Sequence, residues 1–239
     1  MLCGLIVGCE QTSVPGYPLL QEIDSDIATF SALLSKAQPM ATVLRNEEAT
    51  VNGVHDAIVN LSNILKPGDT FVFAFSGHGG QSDDPDSPDG DKKAEALMLS
   101  DGPYADATLR NALHGFQHGV DVVAIIDACH ASGVVFIDRR KPADEPLPVY
   151  RRGLTVAGAT SLTFAAAGEG ETAQQGDSGG QLTGCLRSAW DGGDFHGTWG
   201  ELWNLTSRWA IGYCQIPLPQ AWLDGPDDDN SVLSRPAFQ

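Results

Sequence analysis

Runs of apolar, β-branched and aromatic residues alternate along this chain with stretches of helical spacing, and this alternation limits the fold more than any other feature. The four clearest runs are Leu2–Val7, Ala41–Leu44, Thr70–Ser76 and Val120–Ile126. Strands that alternate with helices build parallel sheets, because each connection has to cross back over the sheet. Two runs, TFVFAFS and VDVVAIID, are apolar almost throughout, as is typical of central strands covered on both faces. The sequence therefore predicts an α/β fold with a mostly parallel central sheet flanked by helices in three layers.

The rest of the chain adds helices and one irregular stretch. Helical spacing is found over Leu19–Leu34, Glu47–Leu65, Asp106–Phe116, Leu182–Trp190 and Trp199–Ala210. A further strand is expected at about Leu154–Ala159. Residues 138–152 contain the basic, proline-containing sequence RRKPADEPLPVYRR, which we interpret as an exposed loop. The length of 239 residues suits one compact core, so we expect a single domain over residues 1–239.

The charge balance argues against several classes of function. There are 14 Lys and Arg residues against 31 Asp and Glu, which gives a net charge of −17. Direct binding to nucleic acid or to an anionic membrane surface is not expected, because both require positive charge. No apolar run approaches the roughly 18 residues that cross a bilayer. The acidic field favours basic peptides and divalent cations, although solubility alone also accounts for it.

The cysteines are scattered along the chain and form no CxxC pattern: Cys3, Cys9, Cys129, Cys185 and Cys214. Their odd number and wide spacing argue against a disulfide framework or a zinc cluster. We therefore expect a reducing, cytoplasmic location. The opening MLCGLIVGC lacks the basic start of a signal peptide, and we interpret it as a buried first strand.

Two loops with reactive side chains follow predicted strands directly. One is Ser76–Gln81 (SGHGGQ) and the other is Asp127–Gly133 (DACHASG). The carboxyl ends of neighbouring parallel strands form the ligand crevice of an open sheet, so His78 and Cys129 can face each other. An imidazole beside a thiol favours the thiolate and can move its proton during acyl transfer. Each motif alone is compatible with an ordinary turn or an inert thiol, but the two together favour catalysis.

The glycines around His78 suggest how a reacting carbonyl would be stabilised. Attack on a carbonyl produces an oxyanion, which needs hydrogen-bond donors that are already in place. Glycine lets the backbone come close to a substrate. The N–H groups of Gly79 and Cys129 are therefore our candidates for an oxyanion hole.

The motifs FSGHGGQ and IIDACHASG resemble the two catalytic motifs of metacaspases and bacterial orthocaspases, the caspase-like cysteine peptidases of clan CD and peptidase family C14. The resemblance extends to GLIVGCE, LKPGDTFVFAFSGHG, DGDKKAEALMLSDG and GGQLTGCL. It implies a caspase-like sandwich in which Cys129 is the nucleophile and His78 the general base or acid. The family usually has Cys-His-Ser-Gly, whereas this chain has CHASG, so the loop after the nucleophile is expected to be shifted.

Substrate preference can be predicted from charge near the nucleophile. Asp127 stands two residues before Cys129 and is expected to point to the same side of the strand, where it would stabilise a basic side chain. Metacaspase-like proteins carry Asp at this place, whereas caspases that prefer Asp substrates carry Gln. Ser76 and either Asp24 or Asp26 match the family's other pocket positions, and we favour Asp26. The alternative for Asp127 is a strand-end carboxylate bonded to backbone N–H groups.

Calcium is the one metal that the sequence brings into question. The acidic loop Asp83–Asp101 resembles regions that bind Ca²⁺ in several metacaspases, but Pro85 and Ala96 occupy the positions where an EF-hand needs carboxylates. Ala94 and Ala107 also stand where the family pattern has acidic residues. A weak Ca²⁺ site and a solvated loop both remain open, and we favour the solvated loop. The chemistry itself is expected to need no cofactor.

These observations predict a cysteine endopeptidase that cleaves proteins or peptides after Arg or Lys. Two alternatives remain: a catalytically idle caspase-like module that binds partners, and a Cys–His hydrolase or transferase with another substrate. The basic loop offers sites for self-cleavage, with Arg152 and Arg140 as the candidates because exposed, irregular backbone is readily cut. A solvated basic loop without processing is the equal alternative.

Overall fold

The structure is a computed structural model that describes residues 1–35, 40–83, 93–128, 145–151, 159–167, 175–176, 179–213, 218–224 and 231–238. Its helices are α1 (Ile23–Ser35), α2 (Val51–Ile64), α3 (Asp106–His114), α4 (Gln181–Trp190), α5 (Trp199–Tyr213) and α6 (Ser231–Ser234). Its strands are β1 (Leu2–Gly8), β2 (Met40–Arg45), β3 (Thr70–Ser76), β4 (His78–Asp83), β5 (Lys93–Leu99), β6 (Gly102–Ala105), β7 (Asp121–Asp127), β8 (Val149–Arg151), β9 (Thr160–Ala165), β10 (Gln175–Gly176), β11 (Gly179–Gly180) and β12 (Gln220–Asp224).

A seven-stranded sheet in the order β2-β1-β3-β7-β9-β12-β8 forms the middle layer. Every neighbouring pair in it is parallel except β9 with β12. Apolar side chains of α1, α4 and α5 cover one face, and those of α2 and α3 cover the other. The predicted three-layer α/β sandwich is confirmed, and β3 and β7 are central, buried strands as expected.

Helix α1 lies unusually close to β1 because two glycines of the strand face it. A Cβ atom on Gly4 would lie only 2.5 Å from Leu34 Cδ1, and one on Gly8 would overlap Ile27. Contacts this short do not occur between real side chains, so larger residues would push the helix away from the sheet. The close approach brings the first turn of α1 to the carboxyl ends of the central strands.

The segment around His78 is mainly a strand rather than the predicted loop. His78 begins β4, which pairs with β5 in a separate antiparallel sheet that also includes β6. Gly77 is the single residue between β3 and β4. Local sequence gave no sign of this hairpin because its two strands are separated by the acidic segment 84–92.

The end of the predicted basic loop is also more ordered than expected. Val149–Arg151 form β8 at the edge of the sheet, and Leu147 is buried. The backbone N–H of Leu147 donates to Ser207 Oγ (3.2 Å), and Trp203 Nε1 donates to Leu147 O (2.8 Å). A proline-containing segment can supply an edge strand because only one of its sides needs hydrogen-bond partners.

Other predictions fall outside the described residues. These include the strand expected at about Leu154–Ala159, apart from Ala159 itself, and the structure places a strand slightly later, at Thr160–Ala165. The predicted cleavage sites Arg140 and Arg152 are also outside the described part of the chain. Within that part, no helix has both the length and the apolar character needed to span a membrane.

Candidate active site

The candidate site lies where β3 and β7 end side by side at the middle of the sheet. The register of the two strands pairs Ser76 with Asp127, and the N–H of Gly77 donates to Asp127 O (3.3 Å). Cys129 follows β7 by two residues and lies outside the described residues. Its pairing with His78 and its part in an oxyanion hole therefore stay predictions. Gly79, the other oxyanion candidate, lies on β4 opposite Leu97 of β5.

The orientation of His78 is fixed by the loop between β1 and α1. The side chain is 9% exposed, and its Nε2 atom lies 2.7 Å from Pro18 O. A carbonyl oxygen can only accept a hydrogen bond, so Nε2 carries a proton and Nδ1 of the neutral imidazole keeps its lone pair. The ring of Tyr17 packs against the imidazole, with ring centroids 5.0 Å apart. His78 is therefore held with Nδ1 as the atom able to accept a proton.

The contacts of Pro18 and Tyr17 with His78 could not be predicted from the sequence. His78 donates its hydrogen bond to a backbone carbonyl, which every residue carries, and His78 and Pro18 lie 60 positions apart. No residue type or spacing could have revealed this contact.

The structure distinguishes between the two carboxylates proposed on α1. Asp24 is largely exposed and forms an ion pair with Arg45 (2.8 Å). Asp26 is buried and accepts a hydrogen bond from Ser76 Oγ (2.6 Å). The N–H of Gly180 lies 3.1 Å from each carboxylate oxygen of Asp26. The geometry therefore brings together Asp26, Ser76 and the end of β7, and leaves Asp24 outside.

The first turn of α4 holds Asp127 by hydrogen bonds. Both the backbone N–H and Oγ1 of Thr183 donate to Asp127 Oδ2, each at 2.7 Å. Both hydrogen bonds from Thr183 go to Oδ2, and within the described residues none reaches Oδ1. The alternative interpretation, a strand-end carboxylate bonded to backbone N–H, thus describes part of what Asp127 does. It leaves Oδ1 for another partner.

Asp26 and Asp127 form what we call the acid pair, and the charge of Asp26 affects the ionisation of Asp127. Burial raises the pKa of Asp127 to about 7, and the neighbouring Asp26 raises it too, whereas the hydrogen bonds from Thr183 lower it. Burial also raises the pKa of Asp26, against the hydrogen bonds from Ser76 and Gly180. Desolvation and like charge both disfavour the ionised form of a carboxyl. A positive group placed between the two carboxylates would reverse this effect.

Two glycines let the backbone pass directly over the acid pair. A Cβ atom on Gly180 would overlap the carboxylate of Asp127, and one on Gly179 would overlap Asp26 Oδ1. Gly179 also has φ +118°, which disfavours any residue with a side chain. The motif GGQLTGCL carries a family resemblance, but its letters do not reveal that these carboxylates constrain Gly179 and Gly180.

Comparison with known proteins identifies the family. Residues 19–138, half of the chain, match the model of the metacaspase, peptidase C14 domain. The chain therefore belongs to the metacaspase family of caspase-like cysteine peptidases, as the sequence motifs predicted.

Individual relatives agree with this assignment. Metacaspase-1 of Schizosaccharomyces pombe is 27% identical over 135 residues, which cover 54% of this chain and 29% of that protein. Metacaspase-2 of Arabidopsis thaliana is 32% identical over 104 residues, covering 39% and 25%. Metacaspase-1 of Plasmodium falciparum is 28% identical over 95 residues, covering 38% and 16%. The matched regions span less than a third of the length of these relatives.

Solved structures share the fold. A protein from Geobacter sulfurreducens superposes with a TM-score of 0.81 at 21% identity, covering 100% of this chain and 98% of that one. Caspase-1 from Spodoptera frugiperda gives a TM-score of 0.60 at 13% identity, covering 96% and 91%. The predicted caspase-like sandwich is therefore confirmed.

Proposed function

We propose that this chain is an endopeptidase that cleaves after Arg or Lys, with Cys129 as the nucleophile and His78 as its general base and acid. The observation that carries the proposal is the buried acid pair, in which Asp127 ends β7 two residues before Cys129 and Asp26 of α1 bonds to Ser76 at the end of β3. A carboxylate pair out of contact with water is unfavourable unless a positive group joins it. An Arg or Lys side chain supplies that charge, whereas an acidic side chain would be repelled.

The proposed reaction begins with transfer of the Cys129 thiol proton to Nδ1 of His78. The sulfur then attacks the carbonyl carbon, and the N–H groups of Gly79 and Cys129 stabilise the oxyanion. When the C–N bond breaks, the proton on His78 passes to the leaving amine and a thioester remains. Water hydrolyses the thioester, again with His78 moving the protons. The carbonyl of Pro18 keeps the imidazole oriented in both halves of the cycle.

A cleavage-site profile on a diverse peptide library tests this function. We expect Arg and Lys to dominate the position before the cleaved bond and Asp to be nearly absent there. A preference for Asp would contradict the role of the acid pair. Complete inactivity of a protein whose circular dichroism spectrum and melting curve show it to be folded would favour the alternative of a catalytically idle module that binds partners.

Calcium should have only a small effect on activity. Ala94 and Ala107 provide no side-chain oxygen at two positions where the family pattern has acids, and Asp106 is already paired with Arg110. We expect peptide turnover in excess chelator to lie within about twofold of turnover in millimolar Ca²⁺, since a strong site needs several oxygen ligands. A protein that is inactive until Ca²⁺ is added would show that another acidic cluster forms a strong site.

Self-cleavage is expected after Arg140 or Arg152, since both carry the side chain that the acid pair should select. Intact-mass spectrometry of incubated wild-type protein should show a cut at one of these residues, and Cys129→Ala should stay whole. For either cut, the pairing of β7 with β9 joins the two fragments and should keep them together on size-exclusion chromatography. For a cut after Arg152, the hydrogen bonds between Leu147 and α5 add to this. Equal cutting in both proteins would assign the cut to a contaminant, and an uncut, active wild type would show that processing is unnecessary.

A further inference from the structure

We propose that Thr183 is a positioning residue for substrate selection, whose hydroxyl and backbone N–H hold the Asp127 carboxylate in place for an incoming basic side chain and favour its charged form. This inference rests on the proposed function, because it takes Asp127 to be the group that meets the substrate. It adds a residue to which no part of the sequence analysis gave a role.

Helix α4 begins without a side-chain cap from the residue before it. The first N–H groups of a helix have no partner within the helix and are commonly capped by a side-chain oxygen of the residue before it. That residue is Gly180, which has no side chain and makes no capping hydrogen bond of that kind. Asp127 of β7 supplies the oxygen instead, through the N–H of Thr183 in the first turn. The helix start and the carboxylate therefore fix each other's position.

The Thr183 hydroxyl also bonds to Asp127, which capping by the N–H alone does not require. Because Thr183 lies in the first turn of α4, no earlier turn of the helix offers its hydroxyl a carbonyl. Thr183 Oγ1 instead lies 2.7 Å from Asp127 Oδ2, within the range for a hydrogen bond to a charged acceptor. The residue is fully buried, where an unpaired hydroxyl would be unfavourable. Within the described part of the chain, the hydroxyl is thus directed at Asp127 Oδ2.

The charged groups around Asp127 decide how readily it ionises. Burial and the facing Asp26 of α1 raise the pKa of Asp127, and the hydrogen bonds from Thr183 act in the opposite direction. Glu22 before α1 raises the pKa of Asp26, while Arg187 of α4 lowers it. His78 after β3 and Tyr17, which packs against it, are further titratable groups of the candidate site. Since the pKa of Asp127 is about 7, losing the hydroxyl would shift the balance towards the neutral acid at neutral pH.

The test compares Thr183→Val, which removes the hydroxyl at nearly constant volume, with Thr183→Ser, which keeps it. The substrates are matched peptides with Arg or its neutral isostere citrulline before the cleaved bond. At pH 7 we expect Thr183→Val to lower the ratio of kcat/KM for Arg over citrulline by about tenfold, the effect of one hydrogen bond to a charged group. The ratio should recover as the pH rises, and Thr183→Ser should stay near wild type.

A second buried threonine provides the control for the substitution itself. Thr206 on α5 is also fully buried, and its hydroxyl has no hydrogen-bond partner within the described residues. Thr206→Val should leave the Arg-to-citrulline ratio and its pH profile unchanged. If Thr183→Val lowers Arg and citrulline turnover equally at every pH, the residue has only a structural role and the proposal is wrong.

A measurement that needs no turnover separates this inference from the proposed function. In Cys129→Ala protein with ¹³C-labelled aspartate, NMR titration gives the pKa of Asp127 with and without the Thr183→Val change. A higher pKa in the double variant supports the proposal, and an unchanged pKa overturns it. An unchanged pKa alongside an intact Arg preference would leave the proposed function standing. A wild-type enzyme without any Arg preference would overturn both.

Discussion

Replacing Cys129 by alanine should abolish peptide cleavage, with kcat falling by roughly 10⁴-fold or more, as expected when a nucleophile is removed. The structure gives no comparable role to the other described cysteines. Burial raises the pKa of the Cys9 thiol to about 11 and also raises that of Cys3, which disfavours the reactive thiolate. Cys185 is buried on α4. His78→Ala should cause a similar loss, because nothing else would take the thiol proton.

The measurement is steady-state turnover of an Arg peptide by purified variants whose folding is checked by circular dichroism and thermal melting. Cys9→Ala and Cys185→Ala serve as matched controls and should keep turnover near wild type. Wild-type activity in Cys129→Ala would show that the nucleophile has been misassigned.

Replacing Asp127 by asparagine should remove most of the preference for Arg and Lys. Loss of one partner of a buried charge pair is worth about 3–5 kcal/mol, which corresponds to roughly a hundredfold or more in relative kcat/KM. Asparagine is preferable to alanine here because its side-chain oxygen can still accept the hydrogen bonds from Thr183. The Arg-to-citrulline ratio measures the effect, and an unchanged ratio in Asp127→Asn would contradict the pocket assignment.

The preference for Arg over citrulline should depend on pH in the wild type but not in Asp127→Asn. Burial and Asp26 raise the pKa of Asp127 to about 7, so the charge proposed to select Arg is about half present at that pH and increases above it. The Arg-to-citrulline ratio of the wild type should therefore rise between pH 6 and 8, and that of Asp127→Asn should stay flat. Taking the ratio cancels the titration of groups that act equally on both substrates.

The contribution of Asp127 to the free energy of unfolding should fall, not rise, as the pH increases. The folded state binds the proton of Asp127 more tightly than the unfolded chain does, whose aspartates titrate near 3.9. This group therefore favours folding most below about pH 4, and the contribution is lost as the pH rises to about 7. In Asp127→Asn this loss is absent, so the free energy of unfolding of the variant should rise relative to that of the wild type between pH 4 and pH 8. Urea unfolding of both proteins at pH 4 and at pH 8 measures this difference.

The sequence was most informative about the middle of the molecule. The apolar runs that became β3 and β7 are central strands, and the polar residues that end them, Ser76 and Asp127, are neighbours in the structure. Such runs are readable because burial on both faces demands an unbroken apolar composition. Asp26 was located only with the help of family resemblance, and its contact with Ser76 depends on the close packing of α1 on β1.

Features built from long-range pairing or from the backbone could not be predicted in the same way. The hairpin of β4 and β5 and the edge strand β8 depend on partners far away in sequence. The carbonyl of Pro18 that orients His78 carries no residue-specific signal. Gly180 and Thr183 belong to a segment whose composition suggests only a turn and a helix start, and their contact with the acid pair is set by the packing of α4.

The central claim is that Cys129 acts as the nucleophile of a peptidase with a pocket for basic side chains. Its most direct test uses two matched peptide acyloxymethyl ketones, ending in Arg or in Asp, with the labelled residue located by peptide mass spectrometry. We predict a single adduct on Cys129, formed roughly a hundredfold faster by the Arg reagent and lost in His78→Ala. Labelling of a different cysteine, or equal rates with the Arg and Asp reagents, would contradict it.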